Sequence, residues 1–380
     1  MHLLFIDFEK AFDTISHSFL WRALRNQGVS EKIIRIIQNT YEEAIAYVKT
    51  DRKGECFKIE RGVRQGDPLS PNLFNCALEE AMRQLEWENR GLRIDGAYLS
   101  NLRFADDIVL IASDLDELTK NANELIEVCK HAGLSVNMNK TKLLSNEKEQ
   151  EVNIGGENIE WVPEIKYLGH IVSFGHSREK ELSNRISGGW NNYWKLKDIF
   201  KSKIAIKTKS EIWQSCVQSS MVYGVQTWAL TKKNIQRLRS TQMAMQRSML
   251  GLKKTDRIAN ATIKEKTKTK DIGAVVKNLK WKYAGHIMRQ GSERWERRVE
   301  GWRPYGQTRS VGRPNTRWRD EFRKRLGPFW RRYTLDRKDW KKREEAYAQE
   351  WARDRGEDRG LPPGEPTTRR TTKKCLNYYM

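Results

Sequence analysis

Apolar and polar positions recur with two different periods along this chain, and the change of period marks its first division. The N-terminal part mixes strand-like and helix-like stretches. Leu3-Leu4-Phe5-Ile6 is a short apolar run of the buried-strand kind, and it ends in Asp7. Leu102–Ser113 is apolar on both sides of two adjacent carboxylates, Asp106 and Asp107. It reads as a β-hairpin, with Leu102–Ala105 as one strand, the Asp pair as the tip and Ile108–Ala112 as the return strand. A second hairpin is predicted where the polar turn Asp51-Arg52-Lys53-Gly54 separates Ala46–Lys49 from Cys56–Ile59.

Between these runs the helical period takes over. Ser16-His17-Ser18 caps a helix through Phe19, Leu20, Ala23 and Leu24 that stops near Gly28. Ser30 and Glu31 open another, through Ile33, Ile34, Ile36, Ile37 and Tyr41. Ser70-Pro71 reads as an N-cap followed by Pro at the first helical position, ahead of Leu73, Phe74, Ala77, Leu78, Met82 and Leu85. Leu115–His131 is a further helix, closed by Gly133.

From Ser177 the pattern is helical, with basic and aromatic residues interleaved. It predicts helices over Ser177–Phe200, broken at Gly188-Gly189, then Thr208–Tyr223, then Asn234–Leu250 with Arg237, Arg239 and Arg247. Eleven of the fourteen tryptophans lie at or beyond Trp190. Many must be core, because a helical bundle needs large apolar residues, and a few can stack on bases. Gly301–Trp318 is rich in Gly, Pro and Arg and reads as a basic linker. Asp336–Arg353 is a last helix with Trp340, Ala346 and Trp351 on a narrow apolar stripe, and beyond Gly356 the composition is that of a disordered tail.

Charge sharpens this division. In residues 1–170 acidic side chains outnumber basic ones, 28 to 21, whereas in residues 171–380 basic ones outnumber acidic ones, 50 to 21. An acidic part followed by a strongly basic one suits a polyphosphate partner better than a merely solvated face. At 380 residues there is room for two or three domains with their own cores. Cys56, Cys76, Cys129, Cys216 and Cys375 show no paired spacing, so neither a zinc site nor a disulfide framework is expected. No run approaches the roughly 20 apolar residues of a membrane span, and no signal peptide is present. The expected location is intracellular, nuclear or cytoplasmic, not secreted or membrane-bound.

The chemistry begins with Asp106 and Asp107. Two unpaired carboxylates at the end of a buried hairpin repel each other and lose solvation, and a divalent cation removes both costs. A surface turn is the ordinary alternative, since Asp favours turns. The strand ending in Asp7 supplies a third carboxylate. Strand-then-acid beside a hairpin with two acids is the layout that holds two Mg²⁺ ions roughly 3.5–4 Å apart for in-line phosphoryl transfer.

These residues carry a family resemblance. Phe5-Ile6-Asp7-Phe8-Glu9-Lys10-Ala11-Phe12-Asp13 resembles motif A of reverse transcriptases, and Phe104-Ala105-Asp106-Asp107 resembles motif C. Between them, Gly62-Val63-Arg64-Gln65-Gly66-Asp67-Pro68-Leu69-Ser70-Pro71 resembles motif B. Gly133–Lys142 is similar to motif D and Glu164-Ile165-Lys166-Tyr167-Leu168-Gly169 to motif E. The wording is closest to the enzymes of non-LTR retrotransposons. Met221–Trp228, Trp281–Ile287 and Gly312-Arg313-Pro314 with Arg317-Trp318 resemble the later regions of the same group.

The resemblance implies an α+β fold: a right-hand polymerase palm (a ferredoxin-like antiparallel sheet with helices) over residues 1–170 and an all-helical thumb over 171–255. A helical connector (256–300), a basic linker with terminal helix (301–355) and a disordered tail (356–380) follow. The implied reaction is RNA-templated addition of deoxynucleoside triphosphates to a DNA primer 3′-hydroxyl, with Mg²⁺ as cofactor and Mn²⁺ as a substitute. Asp7 and Asp106 would carry the metals, with Asp107, turned to the opposite side of the strand by period-2 alternation, supporting the site or binding more weakly. Phe12 falls at the steric-gate position that excludes a 2′-hydroxyl. Arg64, Gln65 and Gly66 would lie near the templating base and incoming nucleotide. Lys140, in preference to Lys142, would protonate the leaving pyrophosphate; a plain surface lysine is the alternative. Lys166, Tyr167, Leu168 and Gly169 would form the primer grip, with Tyr167 and Leu168 equally suited to an interface core.

One departure from the family stands out. Asp7 is the seventh residue, so the basic fingers that reverse transcriptases place before motif A do not precede it in this chain. The expectation is an N-terminally truncated element or incomplete gene product with intact palm chemistry, lacking the fingers and endonuclease segments of its parent. Two other readings compete: a non-catalytic nucleic-acid-binding remnant, and an unrelated two-metal enzyme. The motif B loop argues against the second.

Overall fold

Apolar side chains on both faces of one strand need cover on both sides, and β1 (His2–Ile6) has it: Leu4 and Ile6 are buried toward one face, Phe5 toward the other. The structure, a computed structural model, describes residues 1–175, 177–302 and 316–353. The expectations for the Gly312-Arg313-Pro314 motif, for the linker over 303–315 and for the tail over 356–380 lie outside the described residues. Among described residues the chain forms two compact units. One comprises Met1–Asn184 with 291–302, the other Arg185–Gln290 with 316–353.

In the first unit β1 leads to α1 (Ala11–Thr14), α2 (His17–Asn26) and α3 (Glu31–Glu42). Ser16 caps α2 through its hydroxyl, and Gly28 follows at φ 82°, as a helix stop requires. On α3 only part of the apolar set is buried: Ile34, Ile37 and Tyr41 face the core, while Ile33 and Ile36 are exposed. The hairpin of β2 (Ile45–Lys49) and β3 (Lys53–Lys58) is present but exposes Ile45, Val48 and Phe57. α4 (Ser70–Met82) starts with Leu69, not Ser70, at its N-cap, and the Ser70 hydroxyl is buried without a hydrogen-bond partner. Asp67 turns the chain there instead, accepting from the Leu69 N–H at 2.8 Å.

A small hairpin, β4 (Leu92–Ile94) and β5 (Ala97–Leu99), runs directly into β6 (Asn101–Phe104) and β7 (Asp107–Ala112). α5 (Leu115–His131) follows, capped by Asp114, then β8 (Lys142–Ser145). Short strands complete the unit: β9 (Asn153–Ile154), β10 (Glu157–Asn158), β11 (Glu160–Trp161), β12 (Ile165–Tyr167) and β13 (His170–Val172). The main sheet has the order β11-β8-β1-β7-β6. Its neighbours are antiparallel except at one edge, where β11 runs parallel to β8. The register pairs Ile6 with Ile108 and Leu4 with Leu110. Even-numbered positions of β1 and β7 therefore share the face that packs with α2, α4 and α5, and odd-numbered positions share the other.

α6 (Ser177–Lys195) carries the chain into the second unit. The expected break at Gly188-Gly189 is absent, because a Cβ at Gly189 would overlap the Met221 side chain. The glycine is there for close helix packing, and that contact offsets its intrinsic cost. α7 (Lys197–Lys201) and α8 (Ile206–Ile212) follow, then a π-helical turn over Trp213–Gln218, α9 (Ser219–Met221) and α10 (Lys232–Met249). Thr231 and Asn234 form a capping box on α10. After α11 (Asn260–Thr267) and α12 (Ile272–Arg289), α13 (Trp295–Gly301) belongs to the first unit, and α14 (Asp320–Leu326), α15 (Trp330–Tyr333) and α16 (Arg337–Arg353) complete the second.

Tryptophan makes the core of this second unit, as its count implies. Trp281 of α12 stacks on Trp340 of α16 with ring centroids 3.8 Å apart, and each indole N–H donates to the other residue's carbonyl, at 2.9 and 3.0 Å. Both polar ends of the pair are thus satisfied inside an apolar cluster. Beside them the buried ammonium groups of Lys277 and Lys280 share the carboxylate of Glu321, which also accepts from the Tyr347 hydroxyl. Burial, then the charges of Lys280 and Arg239, pull the Lys277 ammonium down to about 7, against the attraction of Glu321. Ala346 and Trp351 lie on α16, where the sequence places them; their side chains are outside the described set.

Among the described residues Glu321 is the carboxylate that the buried Lys277 and Lys280 ammonium groups share, so its loss removes that compensation from both. Glu321→Ala is expected to destabilise the second unit by roughly 3–5 kcal/mol, read as a lower urea midpoint by tryptophan fluorescence. An unchanged midpoint would refute the assignment.

Candidate functional site

Asp7 is the first residue after β1, and its position is fixed through its backbone. The Asp7 carbonyl accepts from Asn137 N–H at 2.7 Å, and the next N–H but one, of Glu9, donates to Ser135 O at 2.8 Å. The stretch between α5 and β8 is thereby stitched along the residues that follow β1. It brings Lys140 with it: the Lys140 Nζ lies 3.5 Å from Asp7 Oδ2. Lys142 points elsewhere, to Asn139 O and Glu160. Of the two candidate lysines, the structure puts Lys140 beside the carboxylates.

Asp106 and Asp107 lie at the β6–β7 turn, but not as a symmetrical tip. Phe104 pairs with Asp107, so the two-residue loop is Ala105-Asp106, and Asp107 is the first residue of the return strand. Ala105 has φ 53°, in the left-handed region that side chains with a Cβ rarely adopt. Such a conformation costs on the order of 1–2 kcal/mol and is held by the strands on either side. Continuing the β1–β7 register one step beyond Ile6 and Ile108 sets Asp7 opposite Asp107, on the odd-numbered face. The strand alternation alone had placed Asp107 away from the metal-bearing side, and the register brings it back beside Asp7.

The electrostatics follow from this crowding. Partial desolvation, then the charges of Asp106 and Asp7, push the Asp107 carboxyl above the usual carboxylate range, although the residue remains open to solvent. The Asp7 side chain is 41% exposed as a whole, yet its Oδ2 is buried and accepts no hydrogen bond. A buried carboxylate oxygen that has the Lys140 ammonium beside it but accepts no hydrogen bond, next to mutually repelling acids, is a hard-oxygen donor set that suits a divalent cation. Among the described residues no three His, Cys, Asp or Glu side chains converge as a ready ligand cage.

The other candidates surround this edge. Phe12 on α1 stacks on Phe74 of α4, with ring centroids 4.7 Å apart. The loop before α4 is fastened to α1: Val63 N–H donates to Phe12 O at 2.6 Å, Gly62 N–H to Ile15 O at 2.8 Å, and Gln65 Nε2 to Asp13 Oδ1 at 3.2 Å. A Cβ on Gly62 would come within 2.6 Å of Asp13 O, so close approach demands glycine there. Gly66 has open space around it and is required instead by its φ of 88°. Arg64 is drawn to the Thr40 carbonyl at 2.8 Å and lies over the Tyr41 ring.

Lys166, Tyr167, Leu168 and Gly169 form the β12–β13 hairpin, with Leu168 and Gly169 both at positive φ, as a tight two-residue turn requires. Tyr167 packs edge-on against Phe5 and its hydroxyl approaches Asp107 O at 3.5 Å. It is half-buried in the apolar cluster on the odd-numbered face. The sequence did not signal that Tyr167 meets Asp107, nor that Asn137 anchors Asp7; both contacts join positions far apart in the chain.

Residues 1–172 match the reverse transcriptase (RNA-dependent DNA polymerase) family. The chain is 30% identical over 268 residues to an uncharacterised transposon-derived protein of Caenorhabditis elegans, covering 66% of this chain and 96% of that protein. It is 32% identical over 178 residues to the Pol polyprotein of the retrotransposable element R2 of Nasonia vitripennis, covering 45% of this chain but 17% of that polyprotein. Among solved structures, apo telomerase from Candida tropicalis overlaps 73% of this chain and 46% of its own, at 14% identity and a TM-score of 0.39. No described helix is long and apolar enough to cross a membrane. The chain belongs to the reverse transcriptase family, in the branch carried by non-LTR retrotransposons.

Proposed function

We propose that this chain carries the palm chemistry of an RNA-directed DNA polymerase, transferring a deoxynucleotide to a primer 3′-hydroxyl. The observation that supports it most is the meeting of Asp7, whose buried oxygen accepts no hydrogen bond, and the Asp106-Asp107 turn at one end of the paired strands β1 and β7. Asp7 and Asp106 would hold Mg²⁺ or Mn²⁺, and Asp107 would lower its own electrostatic cost when they do. When bound, the cations supply charge stabilisation and a lower pKa for the attacking hydroxyl. Lys140, already beside Asp7, would hold the proton that the leaving pyrophosphate takes up. Phe12, fixed by Phe74, would bound the sugar pocket, and Gln65 and Gly66 would face the base pair. Lys166, Tyr167, Leu168 and Gly169 would steady the primer end. The basic excess beyond residue 170 would grip the RNA template and DNA primer through their phosphates.

Primer extension on an RNA template with Mg²⁺ or Mn²⁺ tests the reading. Asp7→Asn and Asp106→Asn should each lower incorporation roughly a hundredfold or more, since metal ligation supplies several kcal/mol at about 1.4 kcal/mol per tenfold. Extension by neither the native chain nor the variants, with RNA binding that weakens as salt rises, would replace the polymerase by a nucleic-acid-binding protein.

Stability should report the same crowding. A carboxyl raised above its unfolded value adds stability at low pH and loses it as pH rises through the folded value. Without metal, Asp107→Asn should therefore raise Tm at pH 7 and leave it unchanged at pH 3. Added Mg²⁺ should raise the Tm of the native chain and narrow that gap. A variant less stable than the native chain at pH 7 would contradict the repulsion.

A further inference from the structure

The odd-numbered face of the sheet holds more than the carboxylates. Phe5 and Val109 stand two residues from Asp7 and Asp107 on their strands, and both are buried in an apolar cluster on that face. Two aromatic side chains that pack onto this cluster come from the far end of the chain: Trp295 and Trp302. Trp295 is the first residue of α13 and Trp302 the residue that caps its end, so the cluster is met at both ends of the helix. Arg298, between them, donates to the Asp95 carbonyl at 3.0 Å and lies over the Trp295 ring. Asp95 sits at positive φ in the β4–β5 turn, and β5 leads without a loop into the β6–β7 hairpin. The segment 291–302 thus grips both the cluster beneath the carboxylates and the strand that feeds their turn, and it counts within the first unit.

We propose that α13 is a positioning element of the catalytic edge, with Trp295, Trp302 and Arg298 as positioning residues that hold β1 and β7 in the register setting Asp7 opposite Asp107. It touches no substrate and acts through Phe5, Val109 and the β4–β5 turn. The physical need is plain. The turn bearing Asp106 stores backbone strain at Ala105, and its carboxylates repel, so the strand ends separate unless both faces of the sheet are held. The helices hold the even-numbered face, and α13 helps to hold the odd one. This inference rests on the polymerase reading above.

The test compares the full chain with the double variant Trp295→Ala/Trp302→Ala, with Trp295→Phe/Trp302→Phe, and with Arg298→Ala. Mn²⁺ binding followed by electron paramagnetic resonance is measured beside steady-state primer extension. Loss of a supporting shell should weaken Mn²⁺ affinity about 10–100-fold in the double Ala variant. It should lower kcat by a similar factor, as misplacement by about 1 Å does, with KM for primer–template unchanged. The Phe variant should recover most of both, and Arg298→Ala, which removes the bond to the Asp95 carbonyl but leaves both tryptophans, should fall between. Unchanged Mn²⁺ affinity and kcat in a folded double Ala variant, or increased activity, would overturn the inference. A native chain in which Asp7→Asn leaves Mn²⁺ binding unaltered would instead overturn the polymerase reading itself, and this inference with it.

Discussion

Like charges crowded at the end of an apolar sheet are the constraint from which the first unit is built. Asp7 follows a strand buried on both faces, and Asp107 opens the strand paired with it. Neither carboxylate can move away, because Leu4, Ile6, Ile108 and Leu110 are locked in one core and Phe5 and Val109 in another. Partial desolvation, then the repulsion, raises the Asp107 carboxyl, and the buried Asp7 Oδ2 faces the Lys140 ammonium without accepting a hydrogen bond. A fold tuned only for stability would avoid both. A family of polymerases that bring two phosphate-bearing substrates and cations to one point has a use for them.

The second unit solves a different problem. It is basic, it must fold despite that charge, and it does so by enclosing tryptophan. Trp213, Trp281, Trp330 and Trp340 are buried, and reciprocal indole–carbonyl hydrogen bonds satisfy the Trp281–Trp340 pair. Some cations are taken inside as well. Arg239 is committed to Asp271, and Lys277 and Lys280 to Glu321. These are structural charges, so the basic excess of the composition overstates what this unit offers to a nucleic acid. The α+β palm and the helical thumb of the family are thus held together by unlike means.

Much of the site could be read directly. A run of four apolar residues ending in an acid, and an apolar hairpin interrupted by two, are local patterns that strands and turns impose on any sequence. The Gly62 requirement was visible as a glycine in a loop, and the structure supplies its reason in the Asp13 backbone. Local rules failed where a distant contact outweighed them. Gly188-Gly189 reads as a helix break, but α6 runs through it because Gly189 packs on Met221. Ser70 reads as a cap, but its hydroxyl is buried and Asp67 turns the chain.

The sequence by itself determined which residues are the candidates for the chemistry, because carboxylates, glycines and apolar runs are specified position by position. It determined the α+β and helical character of the two parts for the same reason. Only the tertiary structure decided geometry. Strand register placed Asp107 opposite Asp7, whereas alternation within a single strand had turned it away. The backbone bonds that join Asp7 to Asn137 and Glu9 to Ser135 set Lys140, and not Lys142, beside Asp7. The packing of Trp295 and Trp302 on the sheet face joined the far end of the chain to the carboxylate edge. Each of these is a contact between residues remote in sequence, and no periodicity within either segment encodes its partner.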